Sequence, residues 1–222
     1  MGSVVLIHGA MHGAWCWEGV VTELEARGIK VYTPELPFTG MSDDVAAAQR
    51  AIEDADDQVV VCGHSYGGMV MSAAARELTQ VTRLVYLAAL MTDVGETLDV
   101  LFRDHPPGAA LNVQERDGKL FFDLEELHSF FYGDSELSAI SAIAPRLRPM
   151  APENWTLDSP PAWKTIPSTY VICSNDRAIP PSLQRLLATR AGEVVEWPTD
   201  HSPFLTRPDQ LATLLAGYAA EP

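Results

Sequence analysis

Polar and apolar positions along this chain fall into short, wholly apolar runs separated by glycine-, proline- and acid-rich breaks. Val4-Val5-Leu6-Ile7, Val59-Val60-Val61-Cys62, Leu84-Val85-Tyr86-Leu87-Ala88 and Thr169-Tyr170-Val171-Ile172-Cys173 are runs of this kind. A strand covered on one face alternates apolar and polar residues, whereas one covered on both faces is apolar throughout. These four therefore read as central strands of a parallel sheet. Val31-Tyr32-Thr33, halted by Pro34 and Pro37, and Val194-Val195-Glu196-Trp197 are shorter and read as flanking strands. Between the runs the period becomes helical: Val20, Val21, Leu24 and Ile29 trace an apolar face that Gly28 closes. The pattern further predicts helices over about 45–55, capped by Ser42 or Asp43, then after Ser65, over 181–191 and over 208–218. Strands alternating with helices imply the α/β class, with a mostly parallel sheet of about six strands and helices on both faces. Ligands bind such sheets beyond the carboxyl ends of the strands.

One stretch departs from this rhythm. From 92 to 165, Pro106-Pro107, Pro145, Pro149, Pro152 and Pro160-Pro161 punctuate short aromatic-bearing helical patches such as 124–132. So long an excursion is anomalous as a structureless loop in a compact domain, and it reads as an inserted cap of the kind that builds a substrate pocket. The expected organisation is a core made of 1–91 and 166–222, with a cap at 92–165.

Chemistry concentrates where the third strand ends. Gly63-His64-Ser65-Tyr66-Gly67-Gly68 joins an apolar run to a small-residue helix. A serine on such a strand-to-helix turn takes a strained backbone, and flanking glycines remove the Cβ atoms that would clash. The start of the helix also directs backbone N–H groups, beginning with that of Tyr66, towards a developing oxyanion. His8-Gly9-Ala10 after the first strand supplies a second donor, the Ala10 N–H. Gly9 and His12 on the same loop are candidates for contact with substrate.

A serine hydroxyl needs a base to remove its proton and an acid to orient that base. Asp176 and His201 each follow a predicted strand end, as Ser65 does, which puts nucleophile, acid and base on one edge of the sheet. Asp93, just after the fourth strand, is a rival acid, and Asp158 a weaker one. His8, His12 and His64 read as residues that bond backbone groups or shape the pocket, and His105 and His128 fall in the cap. No pair among the six histidines has metal-ligand spacing, and no phosphate-binding glycine motif occurs, so neither metal nor cofactor is expected.

Composition narrows the partners. Lys+Arg of 15 against Asp+Glu of 30 give a formal charge of −15, which disfavours nucleic acid and anionic membranes. Three cysteines, Cys16, Cys62 and Cys173, lack metal-ligand spacing and read as reduced core residues of a cytoplasmic protein. The chain enters its first strand almost at once, without a signal pattern, and no run of 18 apolar residues suits a membrane span.

Val5-Leu6-Ile7-His8-Gly9-Ala10-Met11-His12-Gly13-Ala14-Trp15-Cys16-Trp17, the Gly63-to-Gly68 turn and Asp200-His201-Ser202-Pro203-Phe204 together resemble the α/β-hydrolase branch of plant methyl-ester esterases and hydroxynitrile lyases. The likeness covers the core at both ends and not the cap. It implies an α/β-hydrolase fold, a Ser65-Asp176-His201 triad, oxyanion donors at Ala10 and Tyr66, no cofactor and a homodimer. The expected activity is cleavage of a small carboxylic ester through an acyl-Ser65 intermediate. A lyase of the hydroxynitrile type, another biosynthetic tailoring enzyme or a small-ligand receptor on the same scaffold are the alternatives. The lyases of the branch carry a threonine after the first-strand histidine and a lysine after the catalytic one, where this chain has Gly9 and Ser202.

Overall fold

The computed structural model describes residues 2–55, 58–151 and 155–221; Pro152 of the proline-rich excursion lies outside them. The chain opens with β1 (Ser3–Ile7), a 3-10 turn (Ala14–Trp17) and α1 (Glu18–Glu25), then β2 (Val31–Tyr32), α2 (Met41–Glu53), β3 (Val59–His64), α3 (Tyr66–Ala74) and β4 (Val81–Leu87). Next come α4 (Leu98–Asp104), the hairpin β5 (Gln114–Arg116) and β6 (Lys119–Phe121), α5 (Leu124–Phe131) and α6 (Leu137–Ile143). The order closes with β7 (Ser168–Cys173), α7 (Pro181–Ala188), β8 (Glu193–Trp197), α8 (Pro203–Thr206) and α9 (Pro208–Ala219).

Six strands form one sheet in the order β2-β1-β3-β4-β7-β8, and every pairing is parallel. Burial on both faces explains the apolar runs. Val5, Ile7, Val59, Val61, Leu84, Tyr86, Tyr170 and Ile172 point to the side covered by α2, α3 and α7. Their neighbours Val4, Leu6, Val60, Cys62, Val85, Leu87 and Val171 point to the side covered by α1, α8 and α9. A third apolar cluster, around Leu127, Phe131, Tyr132, Ile140 and Leu147, holds α5 and α6 together and reaches Ala178 after β7. The hairpin β5–β6 lies between β4 and β7 in sequence and outside the main sheet; its three-residue strands, with β5 exposed throughout, gave no buried-strand signal. The helix expected at 45–55 begins earlier, at Met41. Its N-cap is Gly40 at φ 154° rather than Ser42 or Asp43, and the Gly40 carbonyl accepts the N–H groups of Asp43 and Asp44.

All six strands run the same way, so their carboxyl ends share one edge. The chain crosses it after β1, β3, β7 and β8, delivering Gly9 and Ala10, Ser65, Asp176 and His201 there.

Candidate active site

Ser65 is the hinge between β3 and α3. Its backbone sits at φ 53°, ψ −122°, a region that residues with a side chain seldom enter. Close approach enforces the turn. A Cβ on Gly67 would lie 2.5 Å from the Ile7 carbonyl oxygen and 2.7 Å from that of His8, so only glycine lets α3 start against the end of β1. That contact brings the loop after β1 beside the nucleophile candidate. A Cβ on Gly9 would lie 2.8 Å from His64 Nδ1 and 3.0 Å from Ser65 Cβ.

The carbonyls of this loop are tied down one by one. The Leu36 N–H donates to His8 Nε2 at 3.0 Å, which leaves the proton on Nδ1 to be donated to the Gly9 carbonyl at 3.0 Å. Burial lowers the His8 pKa to about 3, so the ring stays neutral. His12 Nδ1 donates to the Ala10 carbonyl at 2.8 Å, and its Nε2 accepts the Tyr132 hydroxyl at 2.7 Å. The Arg148 N–H takes the Met11 carbonyl at 2.8 Å, and the Arg148 guanidinium takes that of His12 at 3.2 Å while pairing with Glu35. With its carbonyls anchored in the protein, the loop has a fixed path past the elbow.

Asp176 and His201 meet beside His64. The Asp176 carboxylate is fully buried and collects four donors: the Ala178 and Ile179 N–H groups on Oδ1 (2.7 and 3.0 Å), and Gln184 Nε2 (2.7 Å) and His201 Nδ1 (2.6 Å) on Oδ2. The imidazole is thereby held with its proton on Nδ1, and its buried Nε2 has no hydrogen-bond partner among the described residues. His64, the residue before Ser65, donates its Nε2–H to the His201 carbonyl at 2.8 Å, and the two rings lie 4.6 Å apart. Phe131 stacks on His201 at 5.4 Å.

The rival acids lie elsewhere. Asp93 pairs with Lys164 at 2.7 Å near the surface, and that cation holds its carboxyl below the usual range. Asp158 is exposed and bonded to Ser159. His12 sits at the site, yet both ring nitrogens are committed to protein groups, so any influence on substrate passes through its neighbours. Among the described residues no group of three or more His, Cys, Asp or Glu side chains is arranged to hold a metal ion.

Two residues of this environment were not singled out by the sequence pattern. Gln184, fully buried on α7, accepts the Cys173 N–H at 2.9 Å while its amide donates to Asp176 and, at 2.6 Å, to the Ile179 carbonyl. Asp44 on α2 accepts the Phe38 N–H and the Tyr66 hydroxyl, both at 2.8 Å, and burial raises its pKa. Each stands on the buried stripe of its helix, beside Leu183 and Leu187 or in line with Ala48 and Ile52. A polar residue at a core position was the available signal. Next to Ala10 and Met11 a cavity of about 410 Å³ opens, walled by apolar groups including Val113, Leu120, Met150 and Trp155, with Glu115 the one carboxylate among the described residues that line it.

Comparison with known proteins agrees with this fold. The profile described as the alpha/beta hydrolase family matches residues 4–214. Methylesterase 7 of Arabidopsis thaliana is 28% identical, over 97% of this chain and 95% of its own. A pyrethroid hydrolase of Sphingobium wenxiniae is also 28% identical, over 99% and 88%. The crystal structure of a pyrethroid hydrolase from Sphingobium faniae superposes with a TM-score of 0.75 at 25% identity, covering 100% of this chain and 98% of that one.

Proposed function

The chain belongs to the alpha/beta hydrolase family, and from that premise we propose that it is a cofactor-independent serine esterase with Ser65 as nucleophile, His201 as base and Asp176 as the orienting acid. The observation that carries this reading is the His201 ring, fixed by Asp176 at 2.6 Å through Nδ1 while Nε2 has no partner among the described residues. On attack, Ser65 Oγ bonds to the ester carbonyl carbon and its proton passes to His201 Nε2. The carbonyl oxygen becomes an oxyanion facing the Ala10 and Tyr66 N–H groups, each such donor contributing roughly 3 kcal/mol in the transition state. Collapse expels the alcohol, which takes the proton back from His201 and leaves an acyl-Ser65. Water, deprotonated by the same nitrogen, then releases the acid.

The substrate in this proposal is a small carboxylic ester with an apolar part. The apolar cavity beside Ala10 supports it, as do the methylesterase and pyrethroid hydrolase names of the relatives. Residues 92–165 act as the cap over that cavity. Gly9 argues for ester cleavage over cyanohydrin cleavage, because a threonine there would press its Cβ into His64 and Ser65. Ser202 offers no cation for a departing anion, and its hydroxyl is buried without a partner among the described residues. A cytoplasmic setting fits three buried, free cysteines; among the described residues no helix is long and apolar enough to cross a membrane. The proposal includes a homodimer, testable by sedimentation.

A fluorophosphonate should label the protein at Ser65, and Ser65→Ala should lose both labelling and hydrolysis of p-nitrophenyl acetate while folding normally. Labelling elsewhere, or an active Ser65→Ala, overturns the proposal. Cyanide release from mandelonitrile with negligible ester turnover overturns the choice of reaction.

A further inference from the structure

We propose that residues 131–134, at the end of α5, form a strap that positions both halves of the reacting machinery at once: Tyr132 orients the oxyanion loop through His12, and Asp134 orients the His201 loop through Asp200. The inference rests on the proposed roles of Ala10 and His201, and extends them to side chains of the inserted segment.

On the oxyanion side the direction of each bond is fixed by chemistry. The Ala10 carbonyl can only accept, so His12 Nδ1 carries the proton and its Nε2 must accept the Tyr132 hydroxyl. Tyr132 is fully buried and His12 is 1% exposed. Burial lowers the His12 pKa to about 4, so the ring is neutral and the relay intact at neutral pH. On the histidine side the two bonds are reciprocal. The Asp134 N–H donates to Asp200 Oδ2, and the Asp200 N–H donates back to Asp134 Oδ2, both at 2.9 Å. Asp200 Oδ1 takes the Ser202 N–H at 2.8 Å, so the backbone is pinned immediately before and after His201. Phe131 spans the two sides, stacked on His201 and edge-on to His12 at 5.5 Å.

An ordinary packing cluster would join these elements through apolar contact alone. Here each polar chain ends on a main-chain group of a reacting residue or of its chain neighbour, and both chains start within three residues of one another. A shift of α5 is therefore felt by the oxyanion donor and the base together. Tyr132 and Asp134 are positioning residues, not catalytic ones.

The test uses the full chain, with Tyr132→Phe, Asp134→Ala and Asp134→Asn. Tyr132→Phe should lower the rate of Ser65 labelling by a fluorophosphonate, and the affinity for phenyl trifluoromethyl ketone, about tenfold, with KM for p-nitrophenyl acetate within about twofold. Asp134→Ala should lower labelling by a similar, about tenfold factor, and Asp134→Asn should restore most of it, because its amide oxygen still accepts the Asp200 N–H. Amide exchange should quicken at 9–13 in Tyr132→Phe and at 199–202 in Asp134→Ala, without a matching change elsewhere in the sheet. Unchanged exchange at those loops, losses confined to KM, or Asp134→Asn as impaired as Asp134→Ala would overturn the strap. If the wild type is not labelled at Ser65, the triad fails instead, and the exchange pattern still decides the strap.

Discussion

Replacing Asp176 by asparagine changes one atom, and the surrounding bonds dictate the outcome. Oδ1 faces two backbone donors, Ala178 N–H and Ile179 N–H, so the amide oxygen of the variant must occupy that place. The NH2 group then stands where Oδ2 stood, opposite Gln184 Nε2 and His201 Nδ1. Gln184 cannot turn its amide over without losing its bonds to the Cys173 N–H and the Ile179 carbonyl. His201 is left to accept through Nδ1, which moves its proton to Nε2 and removes the lone pair that Ser65 needs. We expect kcat to fall by about 10⁴, or about 5 kcal/mol in the barrier. The opposed NH2 groups in a buried site should cost about 1–3 kcal/mol of stability, a fall in Tm of about 5 °C for a domain of this size. Turnover of p-nitrophenyl acetate measures the first effect, and long-range nitrogen–proton correlation of His201 reads the tautomer directly. A variant within tenfold of wild type, or one that keeps the proton on Nδ1, refutes the reasoning. Asp93→Asn, altered in a surface pair with Lys164, should change kcat less than twofold or so.

Gln184→Leu leaves the Cys173 N–H and the Ile179 carbonyl without partners; we expect a loss of about 2–5 kcal/mol with kcat reduced less than about tenfold, read by urea unfolding and turnover. An intact Tm would show that these bonds are replaceable. Gly9→Ala forces a Cβ to within 2.8 Å of His64 Nδ1 and should cost about 1–3 kcal/mol, with a marked loss of Ser65 labelling; wild-type labelling would show that the loop can yield. Stability should also fall on acidification. His8, His12 and His64 have depressed folded pKa values through burial, so their neutral forms stabilise the fold above pH 6.5, and that contribution is lost as pH falls towards about 4 for His12 and about 3 for His8. Asp200, raised to about 6 by burial, opposes this, since it favours the fold as pH drops. Asp44, also raised by burial, adds to that opposing side; the three histidines outweigh the two carboxyls, so stability should fall between pH 7 and pH 5, measurable by urea unfolding at the two pH values; equal stabilities would contradict it.

The core strands were legible because parallel strands buried on both sides carry apolar residues at every position, as Val59-Val60-Val61-Cys62 does. The strand ends that bring Ser65, Asp176 and His201 to one edge followed from chain order alone. Partners in space were not legible. Nothing local in Gln184 announces a bond to Asp176, eight residues away across a turn, and Tyr132 finds His12 across 120 residues. The early start of α2 was hidden for a related reason. Asp44, one residue before the expected start, gives its carboxylate to the Phe38 N–H and the Tyr66 hydroxyl, and the capping falls to a glycine carbonyl.

The strained turn at residue 65 bears on how this sequence would drift. A side chain held at φ 53°, ψ −122° costs about 1–3 kcal/mol, a large fraction of the roughly 5–15 kcal/mol that separates folded from unfolded chains. Glycine accepts that conformation without penalty, so Ser65→Gly should melt higher than the parent while doing nothing. Libraries sorted for heat resistance without a turnover screen would enrich such clones, and a lineage released from chemistry would shed its serine early, keeping the fold intact around an empty elbow.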